Sequence, residues 1–228
     1  MRERSRRFYA LHLGVPLVIA CVLLPIFELS DIDRTVLELV YDREHERFPW
    51  RSHWIFQGAL HEWAKYAVIL FAAVLVGLVI AMLRHPASKP WLRRIVYVLV
   101  SIGMGTALTV GIRDMSGSHC PCELAQFGGW ASYTRLLETT FGFGKSSKCF
   151  PCGHASAGFS LVSIYFALRT PRPHLARWAL VLSLTFGFVI GAGRVLQGAH
   201  FPSHVLATAL LCWLVSFGLY EVLLRHDG

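Results

Sequence analysis

Six apolar runs of 14 to 22 residues, separated by polar clusters, dominate the chain. They cover residues 11–27, 66–83, 95–112, 155–168, 176–193 and 203–224. A helix needs about 20 predominantly apolar residues to cross a bilayer, so this pattern predicts a polytopic membrane protein. The fourth run is short for a hydrocarbon core of ~30 Å and must borrow from its flanks or tilt little. Composition agrees: 54% of residues are hydrophobic and 16% charged, where a soluble domain carries about 25% charged residues. The mean hydropathy is +0.49. A disordered chain, a disulfide-stapled mini-domain and a soluble enzyme are therefore excluded. The expected fold is all-α, one integral membrane domain over residues 1–228 with six transmembrane helices and no internal repeat.

Orientation follows from where Lys and Arg fall. One side holds Arg2, Arg4, Arg6, Arg7, Arg84, Lys89, Arg93, Arg94, Arg169, Arg172, Arg177 and Arg225 against the acids Glu3, Glu221 and Asp227. The other side holds the remaining 10 of 22 basic residues and 11 of 14 acids. Both termini are thus expected in the cytoplasm, with a bacterial inner membrane as the expected location. The net charge of +8 is accounted for by orientation, and no nucleic-acid partner is expected. The sequence leaves the oligomeric state open.

The first apolar run follows arginines, as a signal peptide would, but no A-x-A site closes it. Val18-Ile19-Ala20-Cys21 loosely matches a lipoprotein cleavage box, yet the run continues through Phe27; an uncleaved first span is expected. Between the first two spans, Ile32, Val36, Leu37 and Val40 recur at helical spacing, with Asp33, Glu38 and Asp42 read as the opposite face. This predicts an amphipathic interfacial helix. Phe48, Trp50, Trp54, Phe56 and Trp63 then read as an aromatic belt at the headgroups. The segment is either a lid for a lipid substrate or a simple anchor, and His45, His53 and His61 read as interfacial residues. Gly103, Gly105, Gly187, Gly191 and Gly193 read as close-packing positions between helices.

The outer face collects a second group of residues. Arg113 ends the third span and His119-Cys120-Pro121-Cys122 follows it. Pro151-Cys152-Gly153-His154 opens the fourth, Arg194 ends the fifth, and His200 and His204 flank the start of the sixth. Ionisable groups clustered at a membrane face mark a functional site. Arginines offer planar donor forks to phosphate oxygens and stay charged. Gly153 admits an anion close to the backbone, and Ala155-Ser156-Ala157 would open a helix with unpaired N–H groups. Two histidines can then divide nucleophilic attack and proton donation.

These residues resemble a family, the type 2 phosphatidic acid phosphatases, which share their site with vanadium haloperoxidases. The family's first motif is a lysine, six residues, then Arg-Pro; here Arg113 is followed at that spacing by Cys120-Pro121. Pro-Ser-Gly-His appears as Pro151-Cys152-Gly153-His154. Ser-Arg, five residues, His, three residues, Asp appears as Gly193-Arg194, His200 and His204. The resemblance implies a metal-independent lipid-phosphate phosphatase or phosphotransferase with no cofactor. Its substrate would lie in the outer leaflet: undecaprenyl diphosphate, phosphatidylglycerol phosphate, phosphatidic acid and lipid A 1-phosphate all fit. It further implies His200 as a nucleophile forming a phosphohistidine, His154 as the acid for the leaving oxygen, and Arg113, Arg194, Cys152 and Gly153 at the phosphoryl oxygens.

The departures bear on mechanism. Cys120 stands where the family has a second basic residue, for which His119 is the candidate replacement. Cys152 replaces a serine, with a weaker hydrogen-bonding group. His204 stands where an aspartate orients the nucleophile; a neutral imidazole can accept a hydrogen bond there but cannot stabilise the imidazolium as an anion does. Glu123 and Asp114 are candidates for the missing charge. A lipid-binding family member without catalysis is one alternative. The cysteines supply another, a quinone-coupled membrane thiol oxidase using Cys149 and Cys152. Cys120, Cys122, Cys149 and Cys152 could also hold zinc. In an oxidising compartment disulfides are expected instead, Cys120 with Cys149 joining the first motif to the second, and Cys122 with Cys152 as a second bridge. Cys21 and Cys212 read as packing residues.

Overall fold

The structure is a computed structural model that describes residues 2–83, 89–135, 138 and 148–225. Arg84 and Asp227, which contribute to the charge asymmetry, lie outside the described residues, as do the side chains of Arg2, Glu3, Arg4 and His61. Five helices are long and apolar enough to cross a membrane: α1 (Arg6–Leu29), α3 (Ala64–Met82), α4 (Lys89–Met115), α7 (Pro173–Leu196) and α8 (Pro202–Leu223). Between them lie α2 (Ile32–Val40), α5 (Gly153–Phe159) and α6 (Val162–Leu168). Among the described residues there is no β-strand, only the isolated bridges Asp42–Arg47 and Leu124–Ala131. Helices α7 and α8 both begin with proline in the first turn, where the missing N–H costs nothing and φ is already helical.

The fourth apolar run differs from the expected span. It forms two short helices, α5 and α6, joined through Ser160 and Leu161. The stretch Gly153–Leu168 would rise only roughly 24 Å as a continuous helix. It sits inside the bundle, with Ala155, Ser156, Gly158, Phe159, Val162, Ser163, Phe166 and Ala167 all buried. A segment packed against protein rather than lipid need not match the hydrocarbon thickness. By contrast, the apolar windows of α1 and α3 bury no residue within the protein. Val18, Ile19 and Val22 on α1, and Leu70, Val74 and Ile80 on α3, are exposed. So much outward apolar surface is stable only against lipid, and the chain is an integral membrane protein.

Small residues set how closely the inner helices approach. A Cβ on Gly158 would lie 2.5 Å from Gly187 Cα, and one on Gly187 would enter the Phe159 ring at 2.3 Å. Helices α5 and α7 therefore cross in backbone contact, and any side chain there must push them apart at about 1–3 kcal/mol. Gly103 does not share this role: a Cβ there would meet nothing within 4 Å. Two apolar clusters fill the bundle. One joins Leu37, Phe48, Leu124, Phe127, Phe159, Phe201 and Val205. The other joins Tyr97, Val98, Val162, Phe166, Phe217 and Tyr220 from α4, α6 and α8. Helix α1 is tied to the second through His12, whose Nε2 lies 2.5 Å from the Tyr165 hydroxyl of α6 and whose own carbonyl accepts from Trp213 Nε1 of α8 at 2.6 Å.

Helix α2 forms where the apolar spacing predicts it, but its faces differ from the expectation. Asp33 and Leu37 are both buried, one turn apart and therefore on one side, while Ile32 is exposed. Asp33 accepts a hydrogen bond from Ser203 N at 3.0 Å on one carboxylate oxygen and one from Ser203 Oγ on the other. The Ser203 N–H is among the first-turn donors that lack a partner within their own helix. A carboxylate on α2 thus caps α8 from outside. Burial raises the Asp33 carboxyl to about 6, against the lowering effect of the two Ser203 bonds. Phe48 likewise leaves the aromatic belt: it is buried, with ring centroids 5.1 Å from Tyr41 and 5.4 Å from Phe127. Trp50, Trp54 and Trp63 remain exposed.

Candidate active site

The helix ends that carry the singled-out residues open into one cleft of about 730 Å³. Arg113 comes from the last turn of α4 and Arg194 from the last turn of α7, where a cation also meets the negative end of the helix dipole. His154 comes from the first turn of α5, and His200 from the link between α7 and α8. All four line the cleft, with Cys120, Cys122, Lys148, Gln197 and Ala199. Gly153 lies behind Arg113: a Cβ on it would stand 3.4 Å from Arg113 Nη1. Arg194 Nη1 donates to Gln197 Oε1 at 2.8 Å, which fixes the guanidinium at the cleft wall.

His200 is only 5% exposed. Its Nδ1 faces Cys149 Sγ at 3.7 Å. Burial holds its pKa well below the ordinary 6.5; His204, Arg194 and His154 push the same way, and the Cys149 main chain opposes them. The imidazole is therefore neutral near pH 7, the form that carries a nucleophilic lone pair. His204 is buried behind it, between the rings of Phe150 and Phe201 at 5.2 Å each. The centroids of His200 and His204 are 5.9 Å apart, and no hydrogen bond between them is found among the described residues. Neither candidate for the missing carboxylate pairs with His200. Asp114 is taken up by Arg113 at 3.2 Å and Lys148 at 3.6 Å, and Glu123 accepts from Cys120 N at 2.9 Å. His200 Nδ1 thus faces the neutral Cys149.

Two expected cleft residues lie elsewhere. His119 does not line the cleft; its Nδ1 is 3.7 Å from Glu123 Oε2 and its ring abuts Trp130 at 5.0 Å. Cys152 is fully buried as the residue preceding α5. Desolvation raises its thiol to about 11, although the His154 and Ala155 main chain draws it down. Cys120 and Cys149 form a disulfide with a Cα–Cα distance of 5.2 Å. The second expected bridge is absent: Cys122 and Cys152 are separate free thiols. With Cys149 bonded to Cys120, the Cys149–Cys152 pair of a thiol oxidase is not assembled, and a four-cysteine zinc site has lost two of its ligands. Cys149, His200 and His204 do bring their ligand atoms within 4.8 Å of one another, but the Cys149 sulfur is committed to the disulfide.

The cleft also holds residues that the sequence pattern does not place there. Arg47, Phe48, Arg51, Ser52 and Gln57, from the segment between α2 and α3, form one wall, and Lys148 another part of the lining. Gly198 receives this segment. It has φ +65°, and a Cβ there would fall 2.3 Å from the Phe48 ring, so only glycine fits both the backbone and the contact. Gln197 Nε2 donates to the Arg51 carbonyl at 3.2 Å. Gln197 therefore links this segment to Arg194 through one amide. The signal in the sequence was two arginines inside an otherwise aromatic stretch.

The sequence pattern of the PAP2 superfamily matches residues 94–226, more than half of the chain and all of the cleft except the wall formed by residues 47–57. A lipid A 4'-phosphatase from Francisella tularensis subsp. novicida (strain U112) is 26% identical over 178 residues, covering 75% of this chain and 77% of that protein. No solved structure matches the chain significantly. Arg113, His154, Arg194 and His200 thus converge within the matched segment, and the chain belongs to the PAP2 superfamily.

Proposed function

We propose that the chain is a metal-independent phosphatase or phosphotransferase of lipid phosphates, acting through a phosphohistidine on His200. The observation that carries this reading is the cleft itself, where a neutral, buried imidazole stands with two arginines and a second histidine in the family's matched segment. The curated relative's name, lipid A 4'-phosphatase, favours an amphiphilic phosphate ester. With Nδ1 against Cys149, Nε2 is the nitrogen left to attack phosphorus. Arg113 and Arg194 would neutralise the equatorial oxygens beside the Gly153 backbone, where charge builds in the transition state. His154 would protonate the departing oxygen as the P–O bond breaks, then take a proton from the water that releases phosphate.

In this reading Cys152 shapes the turn before His154 rather than binding phosphate directly, and His204 packs behind the nucleophile. The protein is a single inner-membrane domain with both termini cytoplasmic and the cleft facing outward, α5 and α6 together serving as a sixth, protein-enclosed crossing. Helix α2 and the tryptophans Trp50, Trp54 and Trp63 lie at the outer interface. A reporter active only in the cytoplasm, inserted between Glu123 and Lys148, is expected to give no signal. A strong signal would invert the topology and place the cleft inside.

The activity itself is tested with purified protein and a panel of lipid monophosphates and diphosphates, scored for phosphate release and for transfer to a second lipid. Release from at least one lipid, well above that from water-soluble phosphates, is expected because the acyl chains stay in the bilayer while the headgroup enters the cleft. Equal rates on soluble and lipid phosphates would refute a membrane-substrate design.

A further inference from the structure

We propose that Arg47 and Arg51 form a second anion seat in the cleft, so that its ligands are amphiphiles bearing two phosphoryl groups. The proposal deepens the phosphatase reading and rests on it only for which phosphoryl group reacts. Five cations line the cleft, Arg47, Arg51, Arg113, Lys148 and Arg194, and among the described residues no carboxylate lines it. Asp114, at the edge, pairs with Arg113 and Lys148. Among the described residues the side chains of Arg47 and Arg51 make no ion pair.

Charge balance points the same way. Five cations against the one carboxylate of Asp114 leave a strongly positive cleft, while one phosphate ester brings about −1.5 to −2 at pH 7. A second phosphoryl group brings the total close to neutrality. The volume of about 730 Å³ suits a ligand of drug size, well beyond one phosphoryl group.

Position supports the seat as well, because the two arginines are carried on a fixed loop. Asp42 and Arg47 exchange two backbone hydrogen bonds at 2.9 and 3.1 Å, and Arg51 N donates to the Phe48 carbonyl at 3.1 Å. Phe48 is seated on Gly198, and the Arg51 carbonyl is held by Gln197, which also holds Arg194. The second seat is thus built against the first rather than waving over it. Arginine forks on a pre-organised loop bind phosphoryl oxygens with little further loss of freedom. The shared chemistry is two phosphoryl groups on one headgroup, joined as a diphosphate or set apart on it.

The test is calorimetric titration of the full chain in detergent micelles with orthophosphate, methylenebisphosphonate and butane-1,4-bisphosphonate. At least one bisphosphonate is expected to bind roughly tenfold or more tightly than orthophosphate. Preference for the methylene compound indicates a diphosphate, and preference for the butane compound indicates separated phosphates. The Arg47→Gln/Arg51→Gln variant should bring the ratio of bisphosphonate to orthophosphate affinity close to one. Arg43→Gln, whose side chain lies 3.6 Å from Glu38 and off the cleft, should preserve the ratio and controls for loss of surface charge. A wild-type ratio near one, or a ratio unchanged in the double variant, overturns the seat and leaves these arginines as headgroup anchors. Because the ratio is read without turnover, the two readings fail separately. A chain that shows the preference but releases phosphate from no lipid refutes the phosphatase and keeps the seat.

Discussion

His200→Ala is expected to lower phosphate release by at least about 10⁴-fold, because it removes the atom that would form the covalent intermediate. The acid-labile phosphoenzyme trapped by quenching with labelled substrate should vanish with it. His200 is nearly enclosed, at 5% exposure, so truncation also leaves a small cavity. His200→Gln, which fills that space without an imidazole, separates a lost nucleophile from a lost fold and should be equally inactive. His154→Ala is expected to behave differently. A protonated donor matters most when the departing oxygen is a poor leaving group, so this variant should fail on lipid alkoxides and partly survive on aryl phosphates. Its phosphoenzyme should form from the activated ester and then hydrolyse slowly. Near-normal turnover in His200→Gln would sink the mechanism, whatever the lipid panel shows.

Local chemistry made much of this site legible in the sequence. Apolar runs of bilayer length mark helices whatever their neighbours, and residues at the ends of such runs must meet the same interface. Arg113, His154, Arg194 and His200 could therefore be placed on one face before any packing was known, and they line one cleft. Composition also carried the exposed apolar faces of α1 and α3, since no polar alternation interrupts either run.

Features that depend on which segments meet were hidden. Length alone did not show that 155–168 would break at Ser160 and pack inside the bundle; the Gly158–Gly187 contact that draws it inward pairs residues 29 positions apart. As a carboxylate, Asp33 is expected on the face opposite Val36, Leu37 and Val40. Its burial is offset by Ser203, a partner 170 positions away. Phe48 looked like its tryptophan neighbours, and only the left-handed turn at Gly198 creates a socket for it. Arg47 and Arg51 followed Phe48 into the cleft. With His204 in the place of an aspartate, Glu123 and Asp114 are the acids near in sequence, yet both are engaged with their own neighbours. What the sequence could not show is that a disulfide half would occupy the place beside the His200 ring.

That disulfide gives the second large effect. Cys120 and Cys149 close a loop with a sequence separation of 29, and releasing such a loop in the unfolded chain is worth about 3–4 kcal/mol in the loop-entropy account. Cys120→Ala and Cys149→Ala should therefore lower the thermal midpoint by similar amounts, as should reduction of the wild type by a dithiol. Activity should separate them. Cys149 Sγ lies 3.7 Å from His200 Nδ1, on the side where an anion would otherwise hold the ring, while among the described residues Cys120 is linked to His200 through its bond to Cys149. Loss of the Cys149 side chain frees the imidazole to turn, and displacement of a nucleophile by about 1 Å can cost on the order of 10²-fold. The expected pattern is a kcat lowered roughly 10- to 100-fold more in Cys149→Ala than in Cys120→Ala, with KM for the lipid little changed because the arginines stay in place. Cys149→Ser, which restores a side chain of similar size, should recover part of that difference without recovering the midpoint. Equal losses of kcat in the two alanine variants would mean that the bridge acts only through stability, and that His200 is positioned by His204, itself packed between Phe150 and Phe201.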